Sequence, residues 1–167
     1  MKKIILIAGS IISFLGILLS FYLPEMAWYN IAWNTETQWF NAMGGVNEQQ
    51  IPDPIVILTF LPGIISLTGA ILALIAGKNK NMAYAGAFLI FVGISLFIFN
   101  LMGHTGVSGD PFSWSVWAET LTGQGQNPLW GSFEDGSTVL KYQLGYGLIL
   151  TGVGGIVVIV GIIIGDK

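Results

Sequence analysis

Side chains that can change charge or bind a metal are scarce in this chain. It has a single histidine, His104, and neither cysteine nor arginine. Ser108 and Asp110 complete the residue types of a Ser–His–Asp triad, but they lie in a glycine-rich linker without the Gly-x-Ser-x-Gly turn that exposes a nucleophile. We therefore expect no catalytic residues, no cofactor and no enzymatic activity.

Two sets of residues have the chemistry of metal ligands. His104 with Asp110 or Glu119 offers nitrogen and oxygen donors, and Glu134 and Asp135 precede a glycine in a stretch that could hold a weak calcium ion. Neither set has the ligand spacing of a dedicated metal-binding loop. A lone histidine beside an apolar segment typically bonds to headgroups or to loop backbone. We predict no metal site, and cation binding by the two acids stays open.

The composition points to lipid as the solvent for much of the chain. Hydrophobic residues make up 53% of it and charged residues 9%, whereas soluble domains carry about 25% charged residues. Four runs without a formal charge are each near the ~20 residues that a helix needs to cross a bilayer. Backbone groups in lipid must pair internally, which favours a helix for each run. The runs cover residues 4–23, 55–77, 82–102 and 144–165.

These runs predict an all-α integral membrane protein, a four-transmembrane-helix bundle that forms one polytopic domain over residues 1–167. Two long loops, residues 24–53 and 103–143, then lie on one side and contain eight of the nine acids and Lys141. The other five lysines lie on the opposite side, which the positive-inside rule makes cytoplasmic. We expect a multi-pass protein of the cell membrane with both termini in the cytoplasm and both long loops structured and extracytoplasmic. The cytoplasmic lysines are Lys2, Lys3, Lys78, Lys80 and Lys167.

Small residues recur at spacings that bring them onto one face of each predicted span. Small side chains let helix backbones approach closely, which is how helices pack in lipid. The pattern predicts a compact left-handed bundle, and the alternative is that one seam, such as that of the fourth span, faces another subunit. The glycines assigned to helix packing are Gly9, Gly16, Gly63, Gly86, Gly93, Gly152 and Gly161.

All six tryptophans fall in the two predicted outer loops. A belt of interfacial aromatic residues is one explanation, although a belt would mark both sides of the membrane. Two others stay open: an aromatic core within an extracytoplasmic cap, or a surface for another protein, since tryptophan is enriched at the centres of interfaces. The predicted interaction residues are Trp28, Trp33, Trp39, Trp114, Trp117 and Trp130.

The outer loops also contain signals for local structure. Residues 28–43 place aromatic and small apolar side chains near helical spacing, which favours a helix in the first loop. In the second loop, Asp110 and Pro111 are typical helix-start residues, and we predict a short amphipathic helix over residues 110–123. Two extended runs then flank residues 134–136, which favours a β-hairpin.

Four spans, two structured outer loops and loop tryptophans together resemble the tetraspan membrane proteins of claudin-like topology. Residues 127–133, with the sequence NPLWGSF, are similar to the Trp-containing outer-loop motif of claudins. The claudin motif lies in the first outer loop and precedes a cysteine pair, whereas this segment lies in the second loop of a chain without cysteine. The resemblance therefore implies an assembly or scaffold role and transfers no functional residue.

These features predict a non-catalytic membrane protein that acts in assembly, as an accessory subunit of a larger membrane complex or as a self-associating scaffold. Its expected partners are membrane lipid and other membrane subunits or copies of itself, and not nucleic acid. The alternative is an oligomeric pore or transporter for ions or a small neutral solute. Pro62, Gly63 and a stripe of Thr59, Ser66 and Thr68 would then form the lining. A third interpretation is a subunit that lends a wall to the cofactor site of another protein.

Overall fold

Four helices and a four-stranded antiparallel sheet form the part of the chain that the computed structural model describes, namely residues 2–33, 36–42, 56–76, 79–101, 127, 129–135 and 138–164. The helices are α1 (Lys2–Leu19), α2 (Val56–Ile75), α3 (Lys80–Leu101) and α4 (Tyr146–Ile164). The strands are β1 (Tyr29–Trp33), β2 (Glu36–Phe40), β3 (Trp130–Asp135) and β4 (Thr138–Leu144). A 3₁₀ turn, Pro24–Met26, leads from α1 towards β1.

Each predicted span overlaps one of these helices, and α1 and α3 begin two residues before the predicted runs. By length and composition, α3 and α4 could cross a membrane, whereas the apolar helical segments at residues 3–19 and 61–75 are shorter. The first run was predicted to extend to residue 23 but is helical only to Leu19. After Leu19 the chain continues in tighter turns, in which the Phe21 nitrogen donates to the Leu18 carbonyl and the Tyr22 nitrogen to the Leu19 carbonyl. Pro24 then restricts the residue before it to extended backbone.

The sheet is the part of the fold that the all-α prediction missed. The first outer loop forms a β-hairpin and not a helix, with β1 and β2 paired from Tyr29↔Phe40 to Trp33↔Glu36. Tyr29 and Ile31 are buried, and the residues between and after them are half-buried, so the effective period is two. The sequence of this stretch fits helical spacing as well as strand alternation. Pairing of β1 with β4, a strand from the other loop, favours the strand.

The second loop contains the hairpin that the sequence predicts. β3 and β4 pair from Trp130↔Gln143 to Asp135↔Thr138, which confirms the hairpin, although Glu134 and Asp135, predicted at its turn, belong to β3. The helix predicted over residues 110–123, with Trp114 and Trp117, lies outside the described residues. The strand order is β2-β1-β4-β3, so one strand from each loop lies at the centre of the sheet.

The closest helix pairs are α1 with α4 and α2 with α3. At these contacts a methyl group would not fit on several glycines. An added Cβ would lie 2.7 Å from the Val158 backbone nitrogen at Gly9, 2.7 Å from the Thr151 nitrogen at Gly16 and 2.6 Å from the Ala73 nitrogen at Gly86. An added Cβ on Gly93 would likewise overlap Pro62 and Ser66, and one on Gly161 would come close to Ile5 and Leu6.

Two other predicted packing glycines differ from these. A Cβ at Gly152 would meet the Ile94 side chain at 3.6 Å, an ordinary contact, so this position does not need glycine. Gly63 is buried in α2 beside Pro62. Hydroxyl groups also join the helix pairs: Ser13 donates to the Thr151 carbonyl at 2.9 Å and Ser66 donates to the Ile90 carbonyl at 3.3 Å.

Candidate functional site on the sheet

One face of the sheet, here called the proximal face, packs against the helices. Its buried residues form a cluster with side chains from the sheet-side ends of α1, α3 and α4. This shared core fixes the position of the sheet relative to the helices, because neither part buries these side chains alone. The cluster contains Trp28, Tyr29, Ile31, Phe40, Ala42 and Tyr142 with Ile17, Phe97 and Leu148.

Trp28 lies at the joint between sheet and helices. It is fully buried, and its ring meets Phe97 of α3 edge-to-face, with ring centroids 5.1 Å apart and planes at 89°. Its backbone nitrogen donates to the Phe40 carbonyl at 2.8 Å, and its carbonyl accepts from the Gly145 nitrogen at 3.0 Å. Of the predicted interaction residues, Trp28 is therefore a core residue and not a surface residue.

The ends of the helices are bonded to the strands as well. The Ser20 hydroxyl, just after α1, accepts a hydrogen bond from the Ala42 nitrogen at 2.9 Å, which ties the end of the first hairpin to α1. Gly145 and Gly147, at the start of α4, lie so close to the carbonyls of Ala27 and Met26 that an added Cβ would overlap them. The joint therefore leaves little room for the sheet to move on the helices.

The opposite, distal face carries the residues that alternate with the buried ones. The strand register brings Trp39, Asn30, Gln143 and Trp130 into one row across all four strands. The next row contains Ala32, Lys141 and Ser132. Trp130 is 58% exposed and Trp39 is half-buried. The distal face therefore presents amides, a cation and an exposed indole side by side.

A groove of about 370 Å³ lies beside these two rows. Its volume falls in the range of small-molecule sites, which measure about 300–1,000 Å³. Lys141 is exposed, and among the described residues it has no ion-pair partner. The groove is lined by Asn30, Ala32, Trp130, Gly131, Ser132, Lys141, Tyr142 and Gln143.

Tyr142 supports the groove from the buried side of the sheet. A Cβ on Gly131 would lie 2.6 Å from the Tyr142 hydroxyl oxygen, so the phenol covers the glycine of the edge strand. Tyr142 is 2% exposed. Burial raises the pKa of its phenol above the ordinary value of about 10, because the charged phenolate is poorly solvated there.

The six predicted interaction residues do not form one surface over the described residues. Trp28 is in the core, and Trp39 and Trp130 lie on the distal face. Trp33 is the last residue of β1 and pairs with Glu36 and Leu140. Asn30, Lys141 and Gln143 were not predicted as site residues from the sequence. They alternate with buried residues along their strands, and this alternation identifies them only when the strands are known.

The candidate catalytic and metal-binding residues of the second loop, His104, Ser108, Asp110 and Glu119, lie outside the described residues. Within the described ranges, no three His, Cys, Asp or Glu side chains come together in a group that could hold a metal ion. Comparisons with protein-family models, with curated proteins and with solved structures find no match for this chain. The claudin-like layout therefore stays an expectation.

Proposed function

We propose that the protein is a non-catalytic, four-span membrane protein whose sheet is an extracytoplasmic platform for assembly with other membrane subunits or with copies of itself. The observation that carries the membrane part is the distribution of side chains on the helices. Large apolar side chains are exposed on all four helices, and many of the buried positions hold small or hydroxyl side chains. Exposed examples are Ile11, Ile64, Phe88, Ile156 and Ile163.

Small and hydroxyl residues are common in the interior of the helix pairs, where they pack beside larger ones such as Val158 and Ile162. Ala70, Ala73 and Ala83 are buried, as are Ser10 and Thr151, whose hydroxyls bond to carbonyls one turn earlier in their own helices. A water-soluble bundle would bury its large apolar side chains, and an exposed apolar surface of this extent is typical of contact with lipid or protein. Lipid around all four helices accounts for both halves of the pattern.

The charges support the orientation. α1 and α3 begin at Lys2 and Lys80, and both run towards the sheet. Lysine at the end of the helices away from the sheet favours a cytoplasmic location for that end. The sheet then lies outside the cell membrane, on the side of the loops with most of the acids.

The assembly part of the proposal is supported by the distal face. Trp130 is the exposed tryptophan among those whose side chains are described, and tryptophan is common among the residues that dominate interface energetics. β2 and β3 are the outer strands of the sheet, and an outer strand can pair with another chain. The pore alternative gains no such support, because Ser66 is buried and bonded to Ile90 whereas Thr68 is exposed.

The topology can be tested by cysteine labelling, because the chain contains no cysteine. Ser132→Cys places a thiol on the distal face, and Asn81→Cys places one at the other end of the helices. A membrane-impermeant maleimide added to intact cells should label the first variant only, and the second only after permeabilisation. Label on Asn81→Cys alone in intact cells, or release of the protein by alkaline carbonate, would reject the four-span orientation.

Assembly can be tested on the protein extracted in a mild detergent. We expect a native species larger than the monomer, made of copies or of copurifying membrane subunits. Trp130→Ala should reduce that species, and Tyr22→Ala, which removes an exposed aromatic residue after α1, is the matched control. A monomer that recovers no partner from native membranes would contradict the assembly role.

A further inference from the structure

We propose that the groove on the distal face binds the anionic headgroup of an outer-leaflet lipid, with Lys141 pairing to its phosphate. The inference rests on the proposed four-span orientation, which puts the sheet next to the outer leaflet. It assigns the groove to a lipid that the protein holds specifically, in addition to the lipid that surrounds its helices.

The distance of the groove from the membrane follows from the chain. Gln143 and Lys141 lie three and five residues before Tyr146, the first residue of α4. A fully extended chain spans at most ~3.6 Å per residue, so Gln143 lies within about 11 Å of the start of α4 and Lys141 within about 18 Å. The headgroup layer adds roughly 5–8 Å to each side of the hydrocarbon. Gln143 therefore lies close to that layer, and the long Lys141 side chain can extend from the next row towards it.

Exposed aromatic residues mark the same level. Trp130 is paired with Gln143 in the sheet and is 58% exposed, and Tyr146 at the start of α4 is 63% exposed. Tryptophan and tyrosine are enriched at the level of the headgroups, where the ring meets apolar matter and the polar atom meets water. The row of the sheet nearest to α4 therefore has the composition of a membrane interface.

The charges of the sheet single out Lys141. Its neighbours across the strands are Ala32 and Ser132, and the described residues give it no carboxylate partner. Glu134, the acid with a described side chain on β3, lies two residues beyond Ser132, on the side away from α4. A lysine close to a membrane surface attracts anionic lipid headgroups, and Lys141 is the one cation among the residues that line this groove.

The other groove residues suit a headgroup that carries hydroxyl groups as well as phosphate. Ser132 and Gln143 are exposed and can donate to phosphate oxygens. The carbonyl oxygen of Asn30 is buried without a donor among the described residues, which is uncommon for a native polar group. Asn30 is also one of the residues that line the groove, so its amide adds a polar group to the site of the headgroup.

The test is lipid retention by the full-length protein in native mass spectrometry. Protein delipidated in detergent is offered phosphatidylglycerol and phosphatidylcholine with the same acyl chains, in equal amounts. We expect retained phosphatidylglycerol to exceed phosphatidylcholine several-fold for the unmodified chain and for Lys141→Arg. Lys141→Ala should abolish this preference, and Trp130→Ala should reduce it.

Two control variants make the result specific. Lys80→Ala removes a cation at the other end of the helices, and Glu134→Gln changes a charge elsewhere on the sheet; both should keep the preference. The inference is overturned if Lys141→Ala keeps it, or if Lys80→Ala is the variant that loses it. It is also overturned if the groove retains an acidic protein through Lys141 while the lipids are bound equally. Carbonate extraction separates these outcomes from failure of the four-span proposal, since that experiment does not depend on Lys141.

Discussion

Trp28 shows how a single side chain can connect two parts of a fold. Its ring fills the space between the first hairpin and α3, and its backbone joins both the end of β2 and the start of α4. The sequence places it among loop tryptophans, for which an aromatic core within a cap was one of the open explanations. Full burial makes its contribution one of stability, whereas Trp130, on the exposed face of the same sheet, is free to act in recognition.

Trp28→Ala should therefore destabilise the protein by about 3–5 kcal/mol, the usual cost of removing a large aromatic side chain from a core. Trp28→Phe should cost less. It keeps an aromatic contact with Phe97 and removes an indole N–H that has no acceptor among the described residues. Denaturant unfolding in mixed micelles, followed by circular dichroism, measures both changes.

The control for this measurement is Trp130→Ala. Because Trp130 is largely exposed, its replacement should change the unfolding free energy by only about 0.5 kcal/mol. Equal destabilisation by Trp28→Ala and Trp130→Ala would show that Trp28 is not the link between sheet and helices.

Tyr142 should make the stability of the sheet depend on alkaline pH. Its pKa is raised in the folded state by burial, so the folded protein holds this proton more tightly than the unfolded chain does. Stability is then fully present below the unfolded pKa of about 10 and falls as the pH rises towards and through the folded pKa. Tyr142→Phe should not show this loss of stability at alkaline pH. The unfolding midpoints of the two proteins, compared over the same alkaline pH range, measure the difference.

Tyrosinate absorbance gives an independent check of the same prediction. The spectrum of the unmodified protein minus that of Tyr142→Phe isolates one phenol, which should titrate above the ordinary tyrosine pKa of about 10. A difference spectrum that titrates at or below that ordinary value would contradict the burial argument.

At the scale of elements, the helix seams allow a matched pair of substitutions. Gly16→Ala should destabilise the protein by about 1–3 kcal/mol, because the added methyl would overlap the Thr151 backbone and force α1 away from α4. Gly152→Ala should be neutral or stabilising by up to about 1 kcal/mol, because its nearest neighbour leaves room and alanine favours the helix. Thermal unfolding in one detergent compares the two directly, and a similar loss for both would argue against a close α1–α4 contact.

The elements also show how far a sequence pattern can be taken. The hairpin of the second loop is predictable because two extended runs flank a short turn, and both partners are local. The hairpin of the first loop is not, because residues 28–43 fit a helical spacing as well as an alternating one. The deciding interaction, β1 with β4, joins residues from the two ends of the chain. The groove could not be predicted for the same reason: its residues are neighbours only after that pairing forms.

At the scale of the whole molecule, the shared core predicts one cooperative unit. Residues of three helices and of the sheet contribute to the same cluster, so neither part should keep its structure when the other unfolds. Tryptophan fluorescence reports on the sheet, since the four tryptophans that the structure describes lie in its strands or next to them. The circular dichroism signal of the helices reports on the rest of the fold. The two signals should change together in detergent, and a fluorescence transition well before the helical one would contradict a common core.

The direct connection of β4 to α4, with only Gly145 between them, has a consequence for how the protein is made. β1 emerges early in synthesis, but its partner β4 emerges just before the last helix. Until then the first hairpin has an unpaired edge, and α1 lacks the helix it packs against most closely. On the proposed four-span topology, the sheet is therefore completed at the same stage of synthesis as the last helix inserts. On that topology, a chain truncated before residue 138 would present an open strand edge outside the membrane.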